Sequence, residues 1–165
     1  MTLRTEQIVI QNAVEMPDRL LPFFEEYRDY LLTHAPELEP FLMMQSFDDE
    51  TEHLHEKYGA PGGGIYIVSV DGEDAGCIAF RRLDDETCEL KRVFLRDRYR
   101  GLGLGRKMME RVLTDSRAAG YKVMLLDTLP VLSDALGMYD KLGFERTEKY
   151  NDNPLGHAIY LKLNL

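Results

Sequence analysis

The fold of this 165-residue chain is decided by one segment, Arg100-Gly101-Leu102-Gly103-Leu104-Gly105-Arg106-Lys107. Its three glycines alternate with leucines between basic residues. A strand-like run at 89–95 precedes it, and an amphipathic helical run follows it. A strand, a glycine loop and a helix in this order present backbone N–H groups and a helix N-terminus to an anion. The segment therefore predicts a site for a compound that carries phosphate.

Positive charge is concentrated around this loop in a chain that is otherwise acidic. The net charge is −9, but residues 91–107 hold seven Lys or Arg against one Asp, a local charge of +6 that leaves −15 for the rest. Overall acidity argues against nucleic acid as a partner, because phosphate backbones are bound by Lys and Arg. The basic island at the loop supports the anion site.

Composition predicts one globular domain over residues 1–165, with 44% hydrophobic and 30% charged residues. No hydrophobic run is long enough for a membrane span, and the N-terminus lacks a signal-peptide pattern. Cys77 and Cys88 have neither disulfide-framework nor metal-ligand spacing, and His53 and His55 would point to different faces of a helix. We therefore expect a cytoplasmic protein with no metal site and no membrane association.

The hydrophobic pattern predicts a mixed sheet with helices on both faces, in the order β-α-α-β-β-β-α-β-α-β-β. Asp71-Gly72 is a hairpin signal between two of the strands. Ser46 is the expected cap of the second helix, which should stop before Gly59. The predicted strands are 4–10, 65–70, 75–82, 87–95, 121–127, 144–150 and 157–163, and the other helices are 17–33, one ending at Gly120, and one from Ser133 or Asp134 to Gly143.

Two common phosphate-binding loops do not fit the glycine segment. A Walker-type loop needs G-x-x-x-x-G-K-[ST], and Arg106 stands five residues after Gly101. The dinucleotide fingerprint needs a third glycine where this chain has Arg106, and three antiparallel-looking strands precede the loop. Both patterns are disfavoured, although a nucleotide-binding protein that uses the same loop remains an alternative.

The pattern Arg100-x-x-Gly103-x-Gly105 after a strand resembles the pyrophosphate loop of the GNAT superfamily of acyl-CoA N-acyltransferases. A second motif, Ala135-x-x-x-Tyr139-x-Lys141-x-Gly143-Phe144, resembles the family's other signature, and the predicted element order is that of the family. Leu132 departs from it, since many members carry Asn there; that polar contact is then either absent or supplied by another group, for which Ser133 is the candidate.

The resemblance implies an acetyl-CoA site and assigns residues to it. The pantetheine arm would run along Val93, Phe94 and Leu95, with a backbone N–H near Leu95 polarising the thioester carbonyl. Backbone amides of the loop, with the charge of its arginines, would bind the pyrophosphate. The loop residues concerned are Arg100, Gly101, Leu102, Gly103, Leu104, Gly105 and Arg106.

Two side chains are candidates for acid and base catalysis. A lysine-like amine is mostly protonated at neutral pH, which costs roughly 4.6 kcal/mol that a carboxylate base would reduce. Glu89, in the central strand six residues before Leu95, is the best-placed carboxylate; the alternatives are a surface-facing strand glutamate or a partner for Lys91 or Arg92. Tyr139 matches the family tyrosine that commonly protonates the departing CoA thiolate, and otherwise it is a buried helix-face aromatic.

These features predict an acetyl-CoA-dependent N-acetyltransferase that acts on a primary amine of a small molecule or peptide by direct attack in a ternary complex. The alternative is a catalytically idle acyl-CoA-binding module of the same fold. The acidic remainder of the chain favours a cationic acceptor, and Tyr150 and Asn153 are candidates to contact it. The family resemblance also makes a homodimer possible.

Overall fold

The computed structural model describes residues 7–42, 47–153 and 155–165, without the side chains of residues 41, 47 and 48. A seven-stranded mixed sheet has the order β1-β2-β3-β4-β5-β7-β6, and its only parallel pair among the described strands is β4 with β5. This confirms the predicted mixed sheet. The strands are β1 (Ile8–Asn12), β2 (Gly64–Val70), β3 (Glu73–Arg82), β4 (Thr87–Leu95), β5 (Val123–Thr128), β6 (Glu145–Arg146) and β7 (Ile159–Asn164).

The helices lie on both faces of the sheet and follow the predicted order. They are α1 (Pro17–His34), α2 (Glu39–Leu42), α3 (Phe47–Glu52), α4 (Leu54–Tyr58), α5 (Leu104–Ala118) and α6 (Ser133–Leu142), with 3-10 turns at Pro36–Leu38 and Asp97–Tyr99. The prediction of one second helix was wrong, because several short helical pieces stand in its place. The helix predicted from Ser46 to before Gly59 is interrupted at His53, whose φ of −123° and ψ of 33° are not helical, and this residue separates α3 from α4. The expected cap, Ser46, lies outside the described residues.

The two sides of the sheet carry separate hydrophobic clusters. On one side, α5 buries Met108, Met109 and Val112 against the strands. On the other side, α1 and α4 bury their apolar faces, including Phe23 and Tyr58, against the same strands. The hairpin between β2 and β3 has positive φ at Asp71 (51°) and Gly72 (84°), as a two-residue turn of this type requires.

The chain after α6 differs most from the prediction. The expected strand 144–150 is only β6, and β7 begins two residues later than expected. After β6 the Thr147 N–H still donates to the Tyr160 carbonyl of β7 at 2.9 Å, and the chain then bonds locally: Asn151 Oδ1 accepts from the Asn153 N–H at 3.1 Å, and Asn153 Oδ1 accepts from the Leu155 N–H at 2.9 Å. Such side-chain bonds compete with a strand ladder. Strand β1 also extends to Asn12 rather than ending at residue 10, and predicted residues 4–6 lie outside the described ranges.

Candidate functional site

A cleft of about 770 Å³ opens where β4 and β5 separate. The two strands pair only from Thr87–Val123 to Glu89–Leu125, and beyond that point they diverge. Helix α1 covers the cleft from one side, and the segment between β6 and β7 contributes to its wall. The diverging strands leave one edge of β4 without a neighbouring strand, so that an extended ligand can pair with its backbone.

The glycine loop forms one end of the cleft. Gly101 and Gly103 have φ of 76° and 78°, and a Cβ added to either would meet nothing within 4 Å. Gly103 is the N-cap of α5, whose first turn holds no acidic residue. Exposed amides at the start of a 15-residue helix fit the predicted pyrophosphate.

Gly105 has a different local reason for being glycine. It lies in the first turn of α5 and lines the cleft, and its φ is not positive. A Cβ there would stand 3.2 Å from Met138 Sδ of α6, closer than ordinary van der Waals contact. The glycine therefore lets α5 pack tightly against α6 beside the loop.

The other predicted loop residues are divided between the cleft and its surroundings. Arg100 lines the cleft: its Nε donates to the Leu95 carbonyl at 3.1 Å, and its guanidinium lies 5.0 Å from the Tyr30 ring centroid. Leu104 is buried and also contributes to the lining. Leu102 is exposed, and Arg106 pairs with Glu110 at 3.4 Å on the outer face of α5. Neither of these two belongs to the described lining, so their parts in pyrophosphate binding stay predictions.

Val93, Phe94 and Leu95 all line the cleft, as predicted for the strand that would hold pantetheine. A register shift in the β3–β4 pair places a bulge next to them, and Arg92 has φ of 58° at this point. A bulge takes backbone groups out of the ladder and redirects the strand, and it is frequent beside active sites. No local sequence pattern indicates this bulge.

Beneath the bulge, Glu50 of α3 gathers three donors. Its carboxylate pairs with Arg92 and accepts hydrogen bonds from Lys57 Nζ at 2.8 Å and Tyr58 Oη at 2.7 Å. Burial opposes the ionised form, but Arg92 and Lys57 outweigh it and hold the pKa of Glu50 below its ordinary value. This cluster ties the helical segment before β2 to the bulged strand.

We expect Glu50→Gln to lower the free energy of unfolding by about 3 kcal/mol at neutral pH, because it leaves Arg92 without its carboxylate in a largely buried place. The folded-state pKa of Glu50 is depressed, so its contribution is complete above the ordinary Glu pKa of about 4.3 and disappears as pH falls through the folded value. The free energies of unfolding of the wild type and of Glu50→Gln, measured with urea, should therefore differ at pH 7 and become equal as the pH is lowered. The control is Glu52→Gln, an exposed residue of the same helix; an equal loss in the control would contradict this account.

Tyr139 stands in α6 with its side chain buried and lining the cleft. Its ring packs 5.5 Å from that of Phe144. Burial, together with the nearby Tyr27 and Asp127, raises the pKa of the Tyr139 phenol. The group therefore keeps its proton across the neutral range, and the raised pKa makes it a weaker acid than a free tyrosine.

Glu89 is buried within the sheet and does not belong to the described lining of the cleft. Its Oε1 accepts from Arg81 Nε at 2.8 Å, and Lys91 Nζ lies 3.8 Å from the same oxygen. Its Oε2 accepts from the Tyr150 hydroxyl at 2.5 Å. The predicted pairing with Lys91 is thus present alongside a closer one with Arg81, and the role of base stays a prediction.

The end of the cleft away from the glycine loop holds a positive charge, a negative charge and an amide. Lys91 and Asp127 face it from β4 and β5, and Asn153 from the segment before β7. Apolar side chains complete this half, among them Leu31, Leu38, Leu42, Leu129 and Leu155. Sequence reasoning missed Asp127; the only signal was a carboxylate near the end of an otherwise apolar strand. It anticipated Asn153, and Tyr150 contacts Glu89 instead of lining the cleft.

In the part of the chain that the structure describes, no group of three or more His, Cys, Asp and Glu side chains is arranged to hold a metal ion. His55 Nε2 lies 2.5 Å from Glu15 Oε1, and His53 Nδ1 lies 2.8 Å from the Asp49 carbonyl. None of the described helices is both long and apolar enough to cross a membrane.

The sequence is similar to a family model and to several known proteins. A model of the acetyltransferase (GNAT) family matches residues 22–144. An uncharacterised N-acetyltransferase of Schizosaccharomyces pombe is 35% identical over 157 residues, which cover 93% of each chain. N-acetylaspartate synthetase of Danio rerio is 32% identical over 100 residues, covering 59% of this chain and 36% of that protein.

Among solved structures, PaiA N-acetyltransferase of Thermoplasma acidophilum in complex with coenzyme A superposes with a TM-score of 0.78. The identity is 15%, and the match covers 96% of this chain and 99% of the other. At this identity the likeness concerns the fold alone, and it confirms the fold expected from the two sequence motifs.

Proposed function

The chain belongs to the GNAT acetyltransferase family and is an acyltransferase, and on that premise we propose that it transfers an acetyl group from acetyl-CoA to a primary amine of a small molecule or peptide. One observation carries the proposal. The cleft between β4 and β5 runs from the open amides at Gly101 and Gly103 to a polar end beside Asp127. It thus offers a phosphate site at one end and room for an amine at the other.

Each part of acetyl-CoA, the acetyl donor, is assigned to one part of the cleft wall. The loop and the start of α5 bind the pyrophosphate, and pantetheine amides pair with the free edge of β4 along Val93, Phe94 and Leu95. A backbone N–H of this strand near Leu95 polarises the thioester carbonyl. The bulge at Arg92 supports this arrangement, because it redirects the strand next to where the thioester would lie.

Acetyl transfer requires a base that takes a proton from the amine and an acid that gives a proton to the CoA thiolate. The amine nitrogen attacks the thioester carbonyl carbon; its C–N bond forms as the C–S bond to CoA breaks. The proton lost by the amine passes to Glu89, through water or the Tyr150 hydroxyl that donates to it. The CoA thiolate takes the proton of Tyr139, a role supported by the place of this tyrosine in the cleft wall.

Two acceptor classes fit different observations. The −15 charge outside the basic island favours a cationic acceptor. An acidic amino acid is the second candidate, since one relative is named N-acetylaspartate synthetase and Lys91 and Arg92 line the cleft. Location in the cytoplasm and assembly as a homodimer stay predictions.

The test is thiol release from acetyl-CoA with polyamines, aspartate and other amino acids, aminoglycosides and peptides. We expect turnover with at least one class and thermal stabilisation by CoA compounds. An idle binding module would be stabilised by acetyl-CoA and release no thiol with any amine. A nucleotide-binding protein would be stabilised by ATP or NAD instead.

A further inference from the structure

Asp127 lies on β5 just beyond the part of the strand that pairs with β4. The pairing of β5 with β4 ends at Leu125, two residues earlier, so Asp127 lies where the two strands have already parted. Leu126, Asp127 and Thr128 all line the cleft, but Leu126 and Thr128 are buried, whereas the Asp127 carboxylate is partly exposed to it. The carboxylate therefore stands in the gap that the proposed function assigns to the reacting groups.

Two amides hold this carboxylate by one of its oxygens. Asn151 Nδ2 donates to Oδ2 at 2.9 Å, and Asn153 Nδ2 donates to the same oxygen at 3.1 Å. Within residues 7–42, 47–153 and 155–165, Oδ1 accepts no hydrogen bond. The side chain is thus fixed in position while one oxygen stays available to a ligand.

Asp127 also has no cationic partner among the described residues. Each cation in the described lining of the cleft is within salt-bridge distance of another carboxylate: Arg28 of Asp29, Lys91 of Glu89, Arg92 of Glu50 and Arg100 of Asp97. A carboxylate in a partly closed cleft is costly without a compensating charge. The available oxygen therefore has the chemistry to bind a cation supplied by a ligand.

The surroundings of Asp127 also suit an ammonium group. Tyr27 and Tyr139 line the same cleft, and Tyr160 lies opposite Asp127 in the β5–β7 register. Burial, with a contribution from the negative charge of Asp127, raises the pKa of Tyr27 to about 12. These phenols thus remain neutral, and aromatic faces near a carboxylate favour an ammonium ion through their quadrupoles.

We propose that Asp127 binds the ammonium group of the acceptor, with Oδ1 accepting one of its N–H bonds while Asn151 and Asn153 hold Oδ2. The inference rests on the proposed acetyl transfer and adds the residue that selects and orients the amine. One proton of the ammonium group passes to solvent water before attack, and the neutral amine then keeps its hydrogen bond to Oδ1 while its second proton is lost to Glu89. Asp127 is then the reason for a preference for protonated amines over neutral nucleophiles.

The experiment compares Asp127→Asn with the wild type on two acceptors. One is the amine with the highest kcat/KM in the panel, and the other is hydroxylamine, which is uncharged at neutral pH. We expect the variant to lose about 100-fold in kcat/KM for the amine, mostly through KM, because a close charge pair is lost. For hydroxylamine, we expect kcat/KM to change by less than about threefold after correction for the uncatalysed reaction. A change of that size is what the altered polarity at residue 127 alone would cause.

The matched control is Asp140→Asn, which removes the same charge from an exposed position of α6 outside the described lining of the cleft. It should match the wild type with both acceptors. A second measurement needs no variant: in the wild type, the amine should compete with hydroxylamine at least about tenfold better than its isosteric alcohol does.

Equal losses on both acceptors in Asp127→Asn, or equal competition by amine and alcohol, would overturn the assignment. Failure of the proposed function looks different, because then the wild type would release no thiol with either acceptor.

Discussion

Replacing Gly103 with valine should weaken acetyl-CoA binding by about 100-fold. A β-branched residue at φ of 78° is strained by roughly 1–3 kcal/mol, and its relief would turn the loop amides away from the pyrophosphate. The added side chain would also occupy the open space that the glycine leaves in front of α5. Isothermal titration with acetyl-CoA measures the loss, and kcat at saturating acetyl-CoA should change much less.

The same helix offers a matched control at its other end. Gly120 has φ of 93°, and a Cβ there would also meet nothing within 4 Å. Gly120→Val should therefore cost similar stability in urea unfolding while leaving acetyl-CoA affinity at the wild-type value. If Gly103→Val also kept that affinity, the loop would not be the phosphate site.

Changing Glu89 to glutamine should lower kcat by about 100- to 10,000-fold, the range expected when a general base is removed. Affinity for acetyl-CoA should be unchanged, because Glu89 lies outside the described lining of the cleft. Steady-state kinetics with the best amine and titration with acetyl-CoA measure the two quantities separately.

Glu89→Gln could also lower activity by disturbing the structure, because the substitution leaves Arg81 without its buried carboxylate partner. The double variant Glu89→Gln with Arg81→Met removes that unpaired charge. If Glu89 is the base, the double variant stays as inactive as the single one. Recovery of kcat in the double variant would show that Glu89 only neutralises Arg81.

The parts of the fold that were predictable depend on local backbone chemistry. Asp71-Gly72 and the glycine loop both need positive φ, a requirement that short sequence patterns express directly. The segment before β2 was harder, because the helix predicted from Ser46 to before Gly59 breaks at His53, where no glycine or proline marks an end. The strand predicted over 144–150 ends early, at Arg146, because the chain next to it turns away through the local bonds of Asn151 and Asn153, which alternation of polarity does not express.

The candidate site was predictable at its donor end and only partly at its acceptor end. The loop residues carry a contiguous motif, whereas the place of Asp127 depends on β5 leaving β4 and on Asn151 and Asn153 returning from a segment more than 20 residues later. Contacts of that range have no local pattern. Glu89 was found by its position in the central strand, but its pairing with Arg81 depends on the register of β3 and β4.

The most direct measurement of the central claim varies acetyl-CoA and the best amine together and identifies the product by mass spectrometry. Direct attack in a ternary complex predicts intersecting double-reciprocal lines and one acetylated amine for each free CoA thiol. Parallel lines with an acetylated form of the protein would contradict direct transfer, and binding of acetyl-CoA without thiol release from any amine would contradict the proposed function itself.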